Sequence, residues 1–238
     1  MSGIYQSFKD LQARISANVK IKKSNVIFYV ALILVLAIAI GIRLVPLIGG
    51  DMLIKAFDPW IQYYNSQYLS EHGLYEYFTW RDLKSWNYTG GVTRANLFPG
   101  LIFTTTAIFK ILTFFGVPVT LYEVAYFFPA FMGGMTVLAM FFLGKEVLDE
   151  KCGLVAAFFL ALSPGHIQRT VAGFFDNETI GVFAILMVFL FFVKALKSGK
   201  LSHSVIGGIF LGYLSLSWGG AQFVIYIIPI VCFFLIIL

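Results

Sequence analysis

Apolar runs separated by short polar turns dominate the chain. They fall at about Val26 to Ile42 (reaching toward Ile48 if tilted), Pro99–Phe115, Tyr122–Leu143 and Gly153–Leu162 with its flanks. Three more follow at Thr179–Val193, Ser204–Leu216 and Gln222–Leu238. Several reach or approach the roughly 20 residues that carry a helix across about 30 Å of hydrocarbon. In lipid a backbone must satisfy its own hydrogen bonds within one segment, so these runs predict helices. The pattern therefore predicts an all-α polytopic membrane protein. Ahead of the first run, Ile4, Phe8, Leu11, Ile15 and Val19 recur at helical spacing among Lys9, Arg14, Lys20, Lys22 and Lys23. That predicts a basic amphipathic segment over residues 1–25 lying on the cytoplasmic face. The apolar run behind it is too long for a signal peptide and lacks a small-residue cleavage site, so it reads as a retained anchor.

Composition agrees. Of 238 residues, 59% are hydrophobic and 12% charged, with mean hydropathy +0.86, more apolar surface than a soluble domain of this size can bury. Two cysteines, Cys152 and Cys232, sit in or beside apolar runs and form no C-x-x-C, so neither a disulfide nor a thiolate metal site is indicated. The net charge of +5 is clustered by loop, which informs orientation and gives no reason to expect nucleic acid.

Charge placement sets the topology. The basic residues before Val26 put the N-terminus in the cytoplasm. Residues 49–98, rich in tyrosine and tryptophan, then form a large first outer loop. Whether Pro99–Phe115 crosses decides everything after it. If it crosses, Lys145, Lys151, Lys194, Lys197 and Lys200 face outward. If it does not, those five lysines are inside, and the loop at 163–178 is outside with residues 49–98. The positive-inside rule selects the second arrangement. Residues 99–118 are therefore expected to form a juxtamembrane or shallow re-entrant helix. Residues 26–238 read as one transmembrane domain.

Acids at span ends lose hydration and read as functional. Asp176 and Glu178 stand where one apolar run gives way to the next, and Asp58 lies just beyond the first span. On one face of a membrane, these three carboxylates could share a divalent metal; hard cations such as Mg²⁺ or Mn²⁺ prefer oxygen ligands. Capping explains Asp58 and Asp176 equally well: Asp58-Pro59 suits a helix start ahead of IQYYNSQYL, and Asp176 suits one near Thr179. Glu178 is surplus to a cap. His166 and Arg169 could supply a metal ligand and a phosphate contact, although Arg169 could equally be snorkelling to the interface. Asn87-Tyr88-Thr89 and Asn177-Glu178-Thr179 match N-x-[ST].

Four segments in order resemble the catalytic subunit of oligosaccharyltransferase, particularly its archaeal members. FDPW at 57–60 with Tyr63 and Leu69 is similar to the family's first acidic motif. Trp86 through Gly100 is similar to its W-Y-P-x-G…Y-P-G segment. LSPGHIQRTVAGFFDNE at 162–178 resembles its second acidic motif, and SWGGAQFVIYIIPI at 217–230 its W-G-G turn. The resemblance implies a GT-C type transmembrane helix bundle. Its reaction would move an oligosaccharide from a polyprenyl (dolichyl) phosphate or pyrophosphate carrier to Asn in N-x-S/T acceptors. By the same resemblance Asp58, Asp176 and Glu178 would help hold Mn or Mg, with Asp58 also near the acceptor amide; Arg169, His166 and Trp218 are the further candidates for substrate contact. The site would face outward from a multi-pass protein of the cell membrane.

The chain departs from the pattern at Asn87, Tyr88 and Gly91. It also ends before the family's later outer loop and its W-W-D-x-G domain, so it reads as a truncated N-terminal portion. Competing classes are a cation- or proton-coupled transporter using the same acids as a relay, a GT-C transferase with another acceptor, and a structural subunit.

Overall fold

The computed structural model describes residues 23–84, 90–93 and 98–238. The amphipathic segment expected over 1–25, apart from its last three residues, lies outside the described residues. So do Trp86 and the Asn87 sequon.

Ten α-helices occur among the described residues: α1 (Lys23–Arg43), α2 (Phe57–His72), α3 (Leu74–Thr79), α4 (Gly100–Phe114), α5 (Leu121–Val147), α6 (Glu150–Leu162), α7 (Pro164–Thr170), α8 (Glu178–Ser198), α9 (Leu201–Ser217) and α10 (Ala221–Ile237). A 3₁₀ turn covers Val45–Gly49, and a two-stranded antiparallel ribbon pairs β1 (Arg81–Asp82) with β2 (Val92–Thr93).

Helix α5 is the hub, packing on α1, α6 and α8. It starts with a reciprocal cap: the Glu123 N–H donates to Thr120 Oγ1 at 3.2 Å, and the Thr120 N–H donates to Glu123 Oε2 at 2.7 Å. At its far end, a Cβ on Gly144 would come 2.8 Å from Gly153 Cα, so two glycines let α5 and α6 pair closely. Much of α1 and α10 presents apolar side chains outward; in α10 only Ala221 and Val224 are buried. Such faces suit lipid rather than water.

Three helices are long and apolar enough to cross a bilayer: Val26–Arg43, Leu121–Val147 and Glu178–Ser198. Six crossings were expected. Helices α9 and α10 have 17 residues each, about 26 Å at 1.5 Å per residue. The expected span around Gly153–Leu162 is 13 residues of α6, interrupted at Ser163 because Pro164 opens a separate short helix.

The bundle has two chemically distinct ends. At one, α5 ends, α6 begins, α8 ends and α9 begins, which gathers Lys145, Lys151, Lys194, Lys197 and Lys200. Lys145 Nζ lies 2.6 Å from Glu150 Oε1, and Lys197 Nζ 3.7 Å from Glu146 Oε1. At the other end lie the C-terminus of α1, residues 44–84, the start of α5, the loop after α7 and the start of α8. Helix α4 stays with this second end. Gly100 abuts Ser217, Thr106 Oγ1 donates to Ser66 O at 3.4 Å, and Lys110 Nζ donates to Ser70 O at 2.8 Å. It thus runs beside the polar helix α2.

Candidate functional site at the acidic end

Two segments far apart in sequence are fastened side by side. Tyr122, in the first turn of α5, donates its hydroxyl to Met52 O at 2.8 Å and accepts from the Ile54 N–H at 3.0 Å. The Lys55 N–H then donates to Gly173 O at 3.0 Å, and the Gly173 N–H to Tyr126 O at 2.9 Å. Gly173 has φ +87°, and a Cβ there would strike Leu53 O, so only glycine fits. Three residues beyond this junction in each segment stand Asp58 and Asp176. Below them Ile54, Phe128, Phe175 and Ile180 form a shared apolar floor.

Neither aspartate caps its helix in the way the sequence suggested. Helix α2 begins at Phe57, two residues earlier than an Asp58 cap requires, so Asp58 falls in the first turn and is exposed. The cap position is Ala56, at φ 73° and ψ 167° with no side-chain bond. That conformation is essentially glycine-only and costs about 1–3 kcal/mol, a strain borne immediately before the acid. The cap of α8 is Asn177, again without a side-chain bond. Asp176 supplies its main-chain oxygen to the Thr179 N–H at 3.0 Å, while its carboxylate accepts from the adjacent Asn177 N–H at 2.7 Å.

Asp176 is 6% exposed. Burial raises its pKa from 3.8 to about 7. The Glu178 and Asp58 carboxylates push the same way, and the Asn177 N–H opposes them. Glu178 Oε1 lies 3.5 Å from Arg169 Nη1, and the guanidinium covers the Phe174 ring at 5.2 Å. Glu178 Oε2 and Asn177 Oδ1 are buried with no hydrogen-bond partner. Orphaned buried oxygens are costly, and a cation satisfies them directly. The oxygen donors therefore suit a hard divalent ion in chemistry. Among the described residues, however, no three His, Cys, Asp or Glu groups are already gathered closely enough to hold one.

Arg169 thus sits with the acids, but His166 does not. His166 is 8% exposed and lies beside Arg43 in the interior, its Nε2 unpartnered. The sequence reading put it beside the acids; in the fold it belongs to a buried polar cluster. Trp218 does come to this end. It packs on Gly181, where a Cβ would come 2.6 Å from the ring, one turn after Glu178. It braces the start of α8.

Sequence reasoning missed Arg43, which is fully buried at the end of α1. Its Nε donates to Thr170 Oγ1 at 2.8 Å, its Nη1 to Ala39 O at 2.7 Å and to Ala161 O at 3.3 Å. Its carbonyl accepts from the Ala172 N–H at 2.8 Å, tying α1 to the second acidic segment. An arginine closing an apolar run ordinarily reads as an interfacial anchor. Gly133 and Gly134 in α5 were the available signal, because a Cβ on Gly133 would collide with the Arg43 side chain.

Comparison with known proteins places this arrangement. The family description "Oligosaccharyl transferase STT3, N-terminal" matches residues 26–238. A Saccharomyces cerevisiae relative, dolichyl-diphosphooligosaccharide–protein glycosyltransferase subunit STT3, is 36% identical over 201 residues, covering 84% of this chain and 28% of the relative. The Arabidopsis thaliana STT3B subunit is 34% identical over 232 residues, covering 97% of this chain and 31% of its own. The chain spans less than a third of these relatives' length. Among solved structures, AglB of Archaeoglobus fulgidus, in complex with an inhibitory peptide and a dolichol-phosphate, superposes with TM-score 0.67 at 23% identity. That match covers 87% of this chain and 25% of AglB. The apo form of the Archaeoglobus fulgidus oligosaccharyltransferase gives TM-score 0.64 at 24% identity, covering 85% and 24%. At such identity the shared property is the fold, a GT-C type helix bundle.

Proposed function

The chain belongs to the oligosaccharyl transferase STT3 family, and on that premise we propose that it carries the donor and metal half of an Asn-directed oligosaccharyltransferase. The donor is an oligosaccharide on a polyprenyl (dolichyl) phosphate or pyrophosphate, and the acceptor is Asn in N-x-S/T. The observation that carries this reading is the Lys55–Gly173 hydrogen bond, which fastens the two acidic segments together three residues before Asp58 and Asp176.

Asp58, Asp176 and Glu178 are the residues to hold Mn or Mg. A bound divalent ion there offsets the negative charge that develops on the departing phosphate. In the transfer, the amide nitrogen bonds to the anomeric carbon as the carbon–phosphate oxygen bond breaks. The electron pair leaves on the phosphate, and an amide proton must go to a base. Asp58, exposed in the first turn of α2, would orient the amide and receive that proton. Arg169, half exposed and 3.5 Å from Glu178, would meet a phosphate. Trp218, held against Gly181 one turn after Glu178, is the further proposed substrate contact.

The names and complexes of relatives lend support in kind. The yeast relative is named for a dolichyl-diphosphooligosaccharide, and Archaeoglobus fulgidus structures are described with a tethered acceptor peptide containing NVT and with Zn and sulfate. The packing of α4 along α2 supports the reading that residues 99–118 do not cross. With the lysines of the opposite end in the cytoplasm, the acidic site faces outward.

The test is a glycopeptide assay on the chain extended to its relatives' length, with Mn²⁺ or Mg²⁺ added or chelated. Asp58→Ala and Asp176→Ala should each lower kcat/KM by roughly 10³-fold, about 4 kcal/mol of transition-state stabilisation. Activity indifferent to chelation and to both substitutions would sink the assignment.

A further inference from the structure

A second concavity lies on the same helix as Asp58, toward its C-terminus. It has a volume of about 470 Å³, within the range of small-molecule sites, and lies between α2 and the β1 ribbon. Tyr68 stacks on Trp80 with centroids 3.8 Å apart and planes at 5°, and His72 stacks on Tyr68 at 4.1 Å and 12°. These rings line the cleft together with Gln67, Glu71 and Arg81.

The lining says what it would take. Its two cations, Arg81 and Lys84, are matched by two anions, Glu71 and Asp82, so the cleft carries no net charge to attract a phosphate or a basic peptide. Both cations are also engaged: Arg81 Nη1 donates to Gly90 O at 3.2 Å, and Lys84 Nζ lies 5.6 Å from the Tyr64 ring centroid. Tyr68 is sandwiched between Trp80 and His72, so the ring face that the stack offers is that of the exposed His72. It stands beside an amide and a carboxylate, with Gln67 Nε2 bonded to Glu71 Oε1 at 3.0 Å and both side chains exposed. Ring faces carry negative quadrupole density and attract polarised C–H groups, while the amide–carboxylate pair donates to and accepts from hydroxyls. A neutral ligand with apolar C–H faces and many hydroxyls meets both demands.

We propose that this cleft is a carbohydrate subsite that holds sugars of the donor oligosaccharide remote from the reacting carbon. The choice of ligand rests on the function proposed above. The lining residues 64 to 71 stand about 9 to 20 Å beyond Asp58 at the helical rise, a separation that a glycan of a few units spans. Remote contacts of this kind select glycan length without touching the chemistry.

Binding can be read without catalysis. The 238-residue chain in detergent micelles is titrated by saturation-transfer NMR with two neutral probes, β-1,4-linked N-acetylglucosamine tetrasaccharide and α-1,2-linked mannotetraose. An Asn-Val-Thr octapeptide serves as the polypeptide comparison. At least one tetrasaccharide should bind saturably. Gln67→Ala and Glu71→Ala, both exposed and expected to keep wild-type circular dichroism, should each weaken it roughly three- to tenfold, the worth of one hydrogen bond. Trp80→Ala should abolish it. Absence of binding by both sugars, binding unchanged in the two exposed variants, or saturable binding of the peptide in their place overturns the subsite. Because no transfer is measured, a failure of the transferase reading leaves this result standing, and the converse also holds.

Discussion

The two ends of the bundle handle charge in opposite ways. At the basic end, cations meet anions on the surface: Lys145 with Glu150, and Lys197 with Glu146 and its carbonyl. These partners are between about a quarter and a half exposed, and such pairs contribute about 0–1 kcal/mol. At the acidic end, Arg169 meets Glu178 at 3.5 Å, but the most deeply buried charges are left apart. Arg43 is fully buried, and among the described residues it bonds carbonyls and Thr170 rather than a carboxylate. Asp176 is buried and takes one N–H from its neighbour, while Glu178 keeps one orphaned oxygen. Buried charges are costly unless they are paired or coordinate a metal, and Arg43 and Asp176 are not paired with each other. Keeping them separate leaves the carboxylates open to a cation arriving from outside.

The sharpest way to break the comparison is to ask whether the ends face opposite sides of a membrane. With Cys152 and Cys232 replaced by serine, single cysteines at the exposed positions 58, 168, 151 and 200 are treated with an impermeant maleimide in sealed, oriented vesicles. Positions 58 and 168 should label together and positions 151 and 200 only after permeabilisation. Split labelling of 58 and 168 would put the two acidic segments on opposite faces and end the shared-metal reading outright.

The next largest effect contrasts one cation from each end. Arg43→Met leaves Thr170 and the Ala161 carbonyl without their donor and loosens the attachment of α1 to the second acidic segment. A loss of about 2–4 kcal/mol is expected from unpaired buried groups and imperfect filling. Lys197→Met should cost under about 0.5 kcal/mol, since its pair is partly solvated. Reversible unfolding in mixed micelles measures both. Similar losses would mean that the buried cation is no more structural than the surface one.

What the sequence disclosed and what it hid divide along the same line. The lysine count per loop is a sum over the chain, so it could be read without knowing any contact, and the five lysines do gather at one end. The helix after Asp58 was legible from local propensity. The ordered motifs were legible because each is contiguous. Arg43 was not, because its burial depends on Thr170, 127 residues away, and on the gap left by Gly133. His166 was misplaced for the same reason: adjacency to Arg169 in sequence says nothing about which side of a seven-residue helix faces inward. The positive φ at Ala56 had no signal, since glycine would have announced it and alanine did not.

The smallest effect is the most specific to the acidic end, and it depends on pH. With its pKa raised from 3.8 to about 7, Asp176 keeps its proton in the native protein over a range where the unfolded chain has released it. Its contribution to stability is therefore complete below about pH 4 and is lost as pH rises toward and through about 7. Asp176→Asn, neutral throughout, should match the wild type near pH 4 and exceed it in Tm above pH 7, the gap opening between. Added Mn²⁺ should reverse the order at high pH, stabilising the wild type by mass action and the variant little. Because the ion must displace the Asp176 proton, its apparent affinity should fall about tenfold, some 1.4 kcal/mol, for each pH unit below about 7. The Lys145–Glu150 pair gives the contrasting case: Glu150→Gln should leave both the Mn²⁺ response and its pH dependence unchanged. A Tm gap between Asp176→Asn and wild type that is flat from pH 4 to 8 would mean that this carboxyl is no harder to ionise than one in water, and the case for an externally supplied cation would lose its electrostatic basis.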